Sequence, residues 1–331
     1  MERLRTFPQL APLGSFVSYN NTGFILLGRL IEVATGLTYR AAVEALVLGP
    51  LGMTESTFAP EEIDRQPHAV GHGPQGTTIV TPLNFPRNID PAGGLWSTTR
   101  DQLRYARFHL GDGTVPGGTR LLAPYTLDLM RMPQMPIPGL PSLAMGLPWF
   151  VQDLPGLRLA MHGGDTFGQH TAFVFGAGRG FAFILLTNAE PAGGLVELAV
   201  FNEAAQRYLG LGLDSARAGF VASLTAPAGT PTVTVPAEDL AGYAGRYSAP
   251  GISYVLRAEN NGLLLTAEQT FAPEQIMSSI APSVVRDAPV HFIAHDLARI
   301  DTAMLPFVRT TNGSIGWIDL GLRLVPGIGP A

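Results

Sequence analysis

The sequence predicts an α+β layered domain followed by a small all-β barrel. Three observations carry this. Residues 22–209 run as apolar-periodic helices, then short apolar strands, then a closing helix, the order expected of helices layered on an antiparallel sheet. Residues 213–236 are rich in Ala, Pro and Thr and read as a linker. From Leu240 onward, short apolar runs alternate with Gly, Asn and Pro, the pattern of a small barrel or sandwich.

Val17-Ser18-Tyr19-Asn20-Asn21-Thr22-Gly23-Phe24 is a polar turn opening into an apolar helix over 22–35. Its Asn and Thr side chains can accept from the first free N–H groups of the helix, and Gly36 is placed to end it. A second helix is expected from Tyr39 to Leu48, stopping at Gly49-Pro50. Residues 55–90 read as a long loop region. Ser97, Thr98 or Thr99 caps the next helix, with Asp101 in its first turn. Leu121–Met130 reads as a short helix and the Pro-rich 132–141 as a surface loop. Leu157–Met161, Thr171–Phe175 and Phe181–Thr187 read as three antiparallel strands, the last two joined by the turn Gly176–Gly180. Leu195–Leu209 is the closing helix. In the second part, Asn260-Asn261-Gly262 is a hairpin signal.

Composition narrows the chemistry. The 331 residues carry 46% hydrophobic and 14% charged side chains and a net charge of −5, a globular composition without the basic face of a nucleic-acid binder. There is no Cys, which excludes disulfides, thiolate catalysis and Cys-based zinc sites. All 21 basic residues are Arg. A Schiff-base lysine, a P-loop lysine and a Ser-x-x-Lys pair are therefore absent from these residues. The first residues, Met1–Pro8, lack the apolar core of a signal peptide, and no apolar run reaches the ~18 residues of a membrane helix. The chain as written is expected to be soluble and unexported, with its compartment open.

Met161-His162-Gly163-Gly164-Asp165 ends the first predicted strand. Two glycines after a His leave backbone N–H groups uncovered, so a ligand can approach closely. Such groups can stabilise an oxyanion, and His162 can contribute a proton or a hydrogen bond near neutral pH. The same residues also read as a tight turn with a half-buried His. His68 with His72, and His291 with His295, share an i, i+4 spacing. Pro67, Gly71 and a β pattern argue against helices there, so neither pair reads as a metal site.

Together these landmarks resemble a known family. Tyr19-Asn20-Asn21 with the helix after it resembles the Tyr-x-Asn motif of the class C β-lactamase and penicillin-binding-protein-like serine hydrolases. Pro50-Leu51-Gly52-Met53, Ala92-Gly93-Gly94-Leu95-Trp96-Ser97 and Met145-Gly146-Leu147-Pro148-Trp149 resemble further landmarks, and His162-Gly163-Gly164 resembles the third motif in its esterase-like form. Leu240–Tyr247 and Gly316–Pro326 resemble the start and end of the lipocalin-like β module that follows many of these hydrolases. The resemblance implies a β-lactamase/transpeptidase-like domain over 1–212 lacking its N-terminal part, a linker at 213–235 and a lipocalin-like barrel at 236–331.

It also implies roles. Tyr19 shuttles protons, Asn21 hydrogen-bonds substrate, and His162 lines the pocket where the family has Lys. Gly163, Gly164 and Asp165 supply substrate and oxyanion contacts. The reaction is acyl transfer to serine and hydrolysis of an ester, amide or peptide, with no cofactor and no metal. An esterase or peptidase is favoured over a true β-lactamase, because a neutral imidazole is a poor partner for a β-lactam carboxylate. The family's Ser-x-x-Lys is missing, and Ser15 and Ser18 have no lysine partner. Truncation, a non-catalytic ligand-binding relative, and a second polypeptide carrying the nucleophile each account for this. An open sheet edge, and self-association through it, is the expected structural consequence.

Overall fold

The computed structural model describes residue 5 and residues 8–73, 78–80, 85–166, 168–189, 192–211, 226, 229–269, 286–320 and 322–329. Most of the expected linker lies outside them. The chain forms two compact units, one of Asn20–Gln134 with Ser142–Ser223, the other of Met1–Tyr19, Met135–Pro141 and Leu224–Ala331.

In the first of these units, α1 (Asn21–Thr35) begins where the Asn20 side chain accepts from the Gly23 N–H at 2.7 Å, and it ends at Gly36, whose φ of 71° closes the last turn. Gly28 sits against Pro91 of a 3₁₀ turn (Arg87–Ala92), and a Cβ there would lie 2.3 Å from the proline ring. The second helix runs further than its Gly-Pro pair predicts. α2 (Tyr39–Val43) widens into a π turn (Glu44–Leu48) and continues as α3 (Gly49–Leu51) before Gly52, at φ 68°, stops it. Pro50 starts a fresh turn, where its missing N–H costs nothing. The expected loop region holds the short α4 (Pro60–Ile63) and the 3₁₀ turn.

Thr98, among the three hydroxyls available, caps α5 (Thr99–Leu110) through the Asp101 N–H. Asp101 is fully buried; it accepts from the Glu55 N–H and the Ser56 hydroxyl, each at 2.8 Å, and pairs with Arg104. Leu127 of α6 (Pro124–Met130) joins Leu48, Leu51, Met53 and Phe108 in one core cluster.

Among the described residues, six strands follow each other in chain order across an antiparallel sheet, β1 (Met135–Ile137), β2 (Leu140–Met145), β3 (Phe150–Leu154), β4 (Leu157–Thr166), β5 (Gln169–Gly176) and β6 (Phe181–Thr187), of which β1 and the first two residues of β2 are grouped with the other unit. The expected surface loop at 132–141 is thus corrected to β1 and the start of β2, with Ile137 and Leu140 buried. Pro136 is tolerated because β1 is an edge strand, whose outward N–H positions have no ladder partner among the described residues. Trp149, Val151, Ala160 and Phe175 form the sheet's core under α5, with Trp149 stacked on Phe173. His109 is buried among these rings, and burial, with Arg131 nearby, holds its pKa down at about 4, so it is neutral. α7 (Ala192–Ala204) and a π turn (Ala205–Leu209) close the unit, starting three residues before the helix read from the sequence.

In the other unit, α8 (Ala237–Leu240) leads into eight antiparallel strands: β7 (Gly245–Ala249), β8 (Ile252–Glu259), β9 (Gly262–Gln269), β10 (Ala288–Ala294), β11 (Leu297–Ile300), β12 (Ala303–Arg309), β13 (Ile315–Leu320) and β14 (Arg323–Gly329). They close into a barrel because β10 pairs with β9, which leaves no edge. Asn260 and Asn261, at φ 48° and 60°, make the tight turn between β8 and β9. Tyr243, Tyr247, Phe292 and Phe307 fill the interior with aliphatic side chains. The start of the chain is tied to this barrel: the Trp317 indole N–H donates to the Leu10 carbonyl, and the Tyr19 N–H donates to the Leu322 carbonyl, each at 2.8 Å.

Asp319 is buried in this barrel, with its Oδ1 unpaired. Burial raises its pKa to about 7 against the opposing pull of the Leu322 and Arg323 N–H groups and the Arg323 charge. A carboxyl whose pKa rises on folding costs stability as the pH climbs from its unfolded value near 4 through 7. Asp319→Asn is therefore expected to raise the unfolding free energy at pH 8 by ~1–3 kcal/mol and to change it little at pH 4. Urea titrations at the two pH values check this, and an equal effect at both would contradict it.

Candidate active site

The sequence-predicted residues fall in both units, and the stretch that carries Tyr19 and Asn21 crosses from one to the other. Tyr19 ends the segment tied to the barrel, and the Arg323 guanidinium lies over its ring at 5.3 Å. Burial lowers the Arg323 pKa, and the nearby Tyr19, Tyr254 and Asp319 offset that. Neighbouring Ser18 accepts from the Leu324 N–H through its hydroxyl at 3.3 Å. Asn20 is the helix cap, which places Asn21 as the first residue of α1 in the other unit.

His162, Gly163, Gly164 and Asp165 are consecutive on the tip of β4. β3 pairs with β4 only as far as Met161, whereas β5 pairs with it through Thr166. Among the described residues, no strand covers the β3 side of 162–166. Alternate residues of an antiparallel strand point their N–H and C=O away from the partner. The tip therefore presents backbone donors and acceptors to an open side, and two of its five residues have no side chain to shield them. A Cβ on Gly164 would stand 3.0 Å from the Thr171 hydroxyl, a tight approach that favours glycine there.

The His162 Nδ1 lies 2.6 Å from the Gly163 carbonyl oxygen. A carbonyl only accepts, so Nδ1 carries the proton and Nε2 is the ring's acceptor. Burial lowers the His162 pKa, partly offset by that hydrogen bond, and the ring is neutral at pH 7. Phe150 packs 5.5 Å from it.

Sequence reasoning missed the groups behind the tip. Asp165 pairs across the strands with His170, and its carboxylate accepts from His170 Nδ1 at 2.5 Å. His170 Nε2 donates to Glu197 of α7 at 2.7 Å. Burial alone would lower the His170 pKa, but the hydrogen bonds and charges of Asp165 and Glu197 outweigh it and push it up to about 10. A hairpin register through the turn at Gly168 would have put Asp165 opposite His170; Glu197, on a separate helix, left no local signal. The turn is held from a third side, where the His72 N–H bonds the carbonyls of Gly168 at 3.1 Å and Asn188 at 2.9 Å.

A family model described as Beta-lactamase matches residues 1–206. Penicillin-binding protein 4 of Amycolatopsis lactamdurans is 33% identical over 187 residues, which are 54% of this chain and 49% of that protein. The D-alanyl-D-alanine-carboxypeptidase/endopeptidase AmpH of Escherichia coli K12 is 26% identical over 195 residues, 56% of this chain and 49% of that protein. The chain thus spans about half the length of these curated relatives. The crystal structure of SurE with D-Leu superposes with a TM-score of 0.69 at 22% identity, covering 98% of this chain and 70% of that one, and shows a shared fold. Among the described residues, no helix is long and apolar enough to cross a membrane.

Proposed function

Since the chain belongs to the β-lactamase family, we propose that it forms the Tyr-x-Asn and His-Gly-Gly part of a serine hydrolase site acting on an ester, amide or peptide. The observation that carries this is the open tip of β4, where His162 stands beside unshielded backbone at Gly163, Gly164 and Asp165. In this reading a serine oxygen attacks the substrate carbonyl and gives up its proton to Tyr19. The N–H near Asp165 stabilises the oxyanion. The leaving alcohol or amine takes the proton from Tyr19 as the C–O or C–N bond breaks, and water then releases the acyl group by the same steps. Asn21 hydrogen-bonds the substrate.

His162, being neutral, offers no charge of its own to a substrate carboxylate where the family has Lys, which favours an esterase or peptidase over a β-lactamase. The peptidase name of AmpH points the same way. The chain has no Lys, so neither Ser15 nor Ser18 has the lysine that would activate it, and Ser18 accepts from the Leu324 N–H.

The absence of Lys also favours a second reading, a relative that binds ligand in the same pocket without turnover. A fluorophosphonate probe separates the two. The 331-residue chain is expected to stay unlabelled at Ser15 and Ser18. A fusion that places a family member's Ser-x-x-Lys segment before Met1 is expected to label at the new serine, at least tenfold more slowly with Tyr19→Phe. Labelling of Ser15 or Ser18 would overturn the assignment of the nucleophile. An unreactive but folded fusion would favour the binding protein.

A further inference from the structure

Behind the tip of β4 lie three ionisable side chains that the proposed reaction does not use. His170 and Glu197 are almost fully buried, with 4% and 2% of their surfaces exposed, and the imidazole bridges two carboxylates at 2.5 and 2.7 Å. Burying such groups is costly, and well-packed apolar side chains of the same volume are often no less stable. Their geometry shows what they hold. Asp165 is on β4, His170 faces it on β5, and Glu197 is on α7, so the imidazole ties the last turn of one hairpin to a helix. Glu197 and Gly193 stand one helical turn apart on the same face. A Cβ on Gly193 would lie 2.5 Å from the His170 Cβ and 2.3 Å from the Thr187 hydroxyl. The helix can come close enough to reach the imidazole only because residue 193 is glycine. The Thr187 hydroxyl donates to the His170 carbonyl at 3.2 Å, fixing the same residue from β6.

We infer that Asp165, His170 and Glu197 form a carboxylate–imidazolium–carboxylate clamp that fixes the backbone of Gly163–Asp165, which makes His170 and Glu197 positioning residues for the proposed oxyanion contact. Asp165 has both parts: its side chain anchors the clamp, and its backbone belongs to the open tip. Both ring nitrogens donate in this arrangement, so the imidazole acts as a cationic bridge and is unavailable as a general base. Among the described residues, Asp165 from β4 and Glu197 from α7 face it with charge. The inference rests on the proposed use of the tip, but its test does not depend on turnover.

The test uses the 331-residue chain. In ¹⁵N-histidine spectra at pH 8, one imidazole is expected to show two protonated nitrogens, and that signal should disappear in His170→Phe. Amide exchange is then compared across β4, β5 and β6. In Glu197→Gln and in His170→Phe, the amides of 163–165 are expected to exchange at least tenfold faster, while those of 172–175 stay within twofold of the wild type. A neutral His170 at pH 8 would overturn the inference. So would unchanged exchange at 163–165, or an equal rise across all three strands, which marks a merely structural contact. If His170→Phe does not fold, Glu197→Gln carries the test, since it keeps the shape and removes one charge. A mobile tip in these variants with an unreactive fusion would remove the hydrolase reading and leave the clamp standing.

Discussion

On a sizing column at micromolar concentration, the 331-residue chain is expected to elute as a dimer or larger species. β6 is the last strand of the sheet, and among the described residues its outer edge has no partner. Leu186 on that strand is exposed, and α7, packed beside it, exposes Leu195, Val196 and Val200. In the same unit, α1 exposes Leu27, Leu30 and Val33, the last at 67%. Fully burying an aliphatic side chain is worth ~1.5–3 kcal/mol, so four or five of them gain about 6–15 kcal/mol. The cost of association is about 4–15 kcal/mol. The balance allows a weak pair, and antiparallel β6–β6 pairing would satisfy the open backbone. A charged fraction of only 14% gives little repulsion to prevent it. Leu186→Lys with Val196→Glu and Val200→Glu puts charge on the strand edge and along one helix face. This variant is expected to run as a monomer with an unchanged melting temperature. A sharp monomer peak from the unaltered chain, with cooperative unfolding, would contradict the argument.

The layered fold and the barrel were legible because their signals are local. Asn20 and Gly36 bracket α1, Thr98 and Asp101 start α5, and Asn260-Asn261 turns β8 into β9; each acts within four residues of its own position. The errors fall where the neighbour decides. Prolines 136, 138 and 141 suggested a surface loop, yet β1 forms around Pro136 because an edge strand has N–H positions that need no partner, and Pro138 falls in the turn between β1 and β2. Gly49-Pro50 suggested a stop, yet a π turn lets the chain restart a helical turn at the proline. At the candidate site, His162-Gly163-Gly164-Asp165 could be read as uncovered backbone at a strand end. Neither Arg323 over Tyr19 nor Glu197 against His170 could be read, because each partner comes from an element far away in sequence.

The clamp also makes the stability of its unit depend on pH in a distinctive direction. The imidazole of His170 titrates near 6.5 in the unfolded chain and at about 10 in the fold. A folded pKa above the unfolded one means that the native state holds the proton more tightly. The stabilisation is therefore complete below pH 6.5 and is lost progressively as the pH rises to about 10. One pKa unit corresponds to ~1.4 kcal/mol, and the whole gap sets a ceiling near 5 kcal/mol. Asp165 is partly exposed, so solvent screens its share, and a loss of about 2–4 kcal/mol is expected. Asp319 acts in the other unit and below pH 7, so the two effects separate. Trp317 lies in the barrel unit, whereas Trp96 and Trp149 lie in the unit that holds the clamp. Tryptophan fluorescence in a Trp317→Phe background thus follows the unfolding of interest. Urea titrations at pH 6, 8 and 10 are expected to show His170→Gln far less stable than its parent at pH 6. The difference should narrow at pH 8 and nearly vanish at pH 10. A difference that stays constant with pH would mean that His170 is held as a neutral ring, and the clamp would lose its charge.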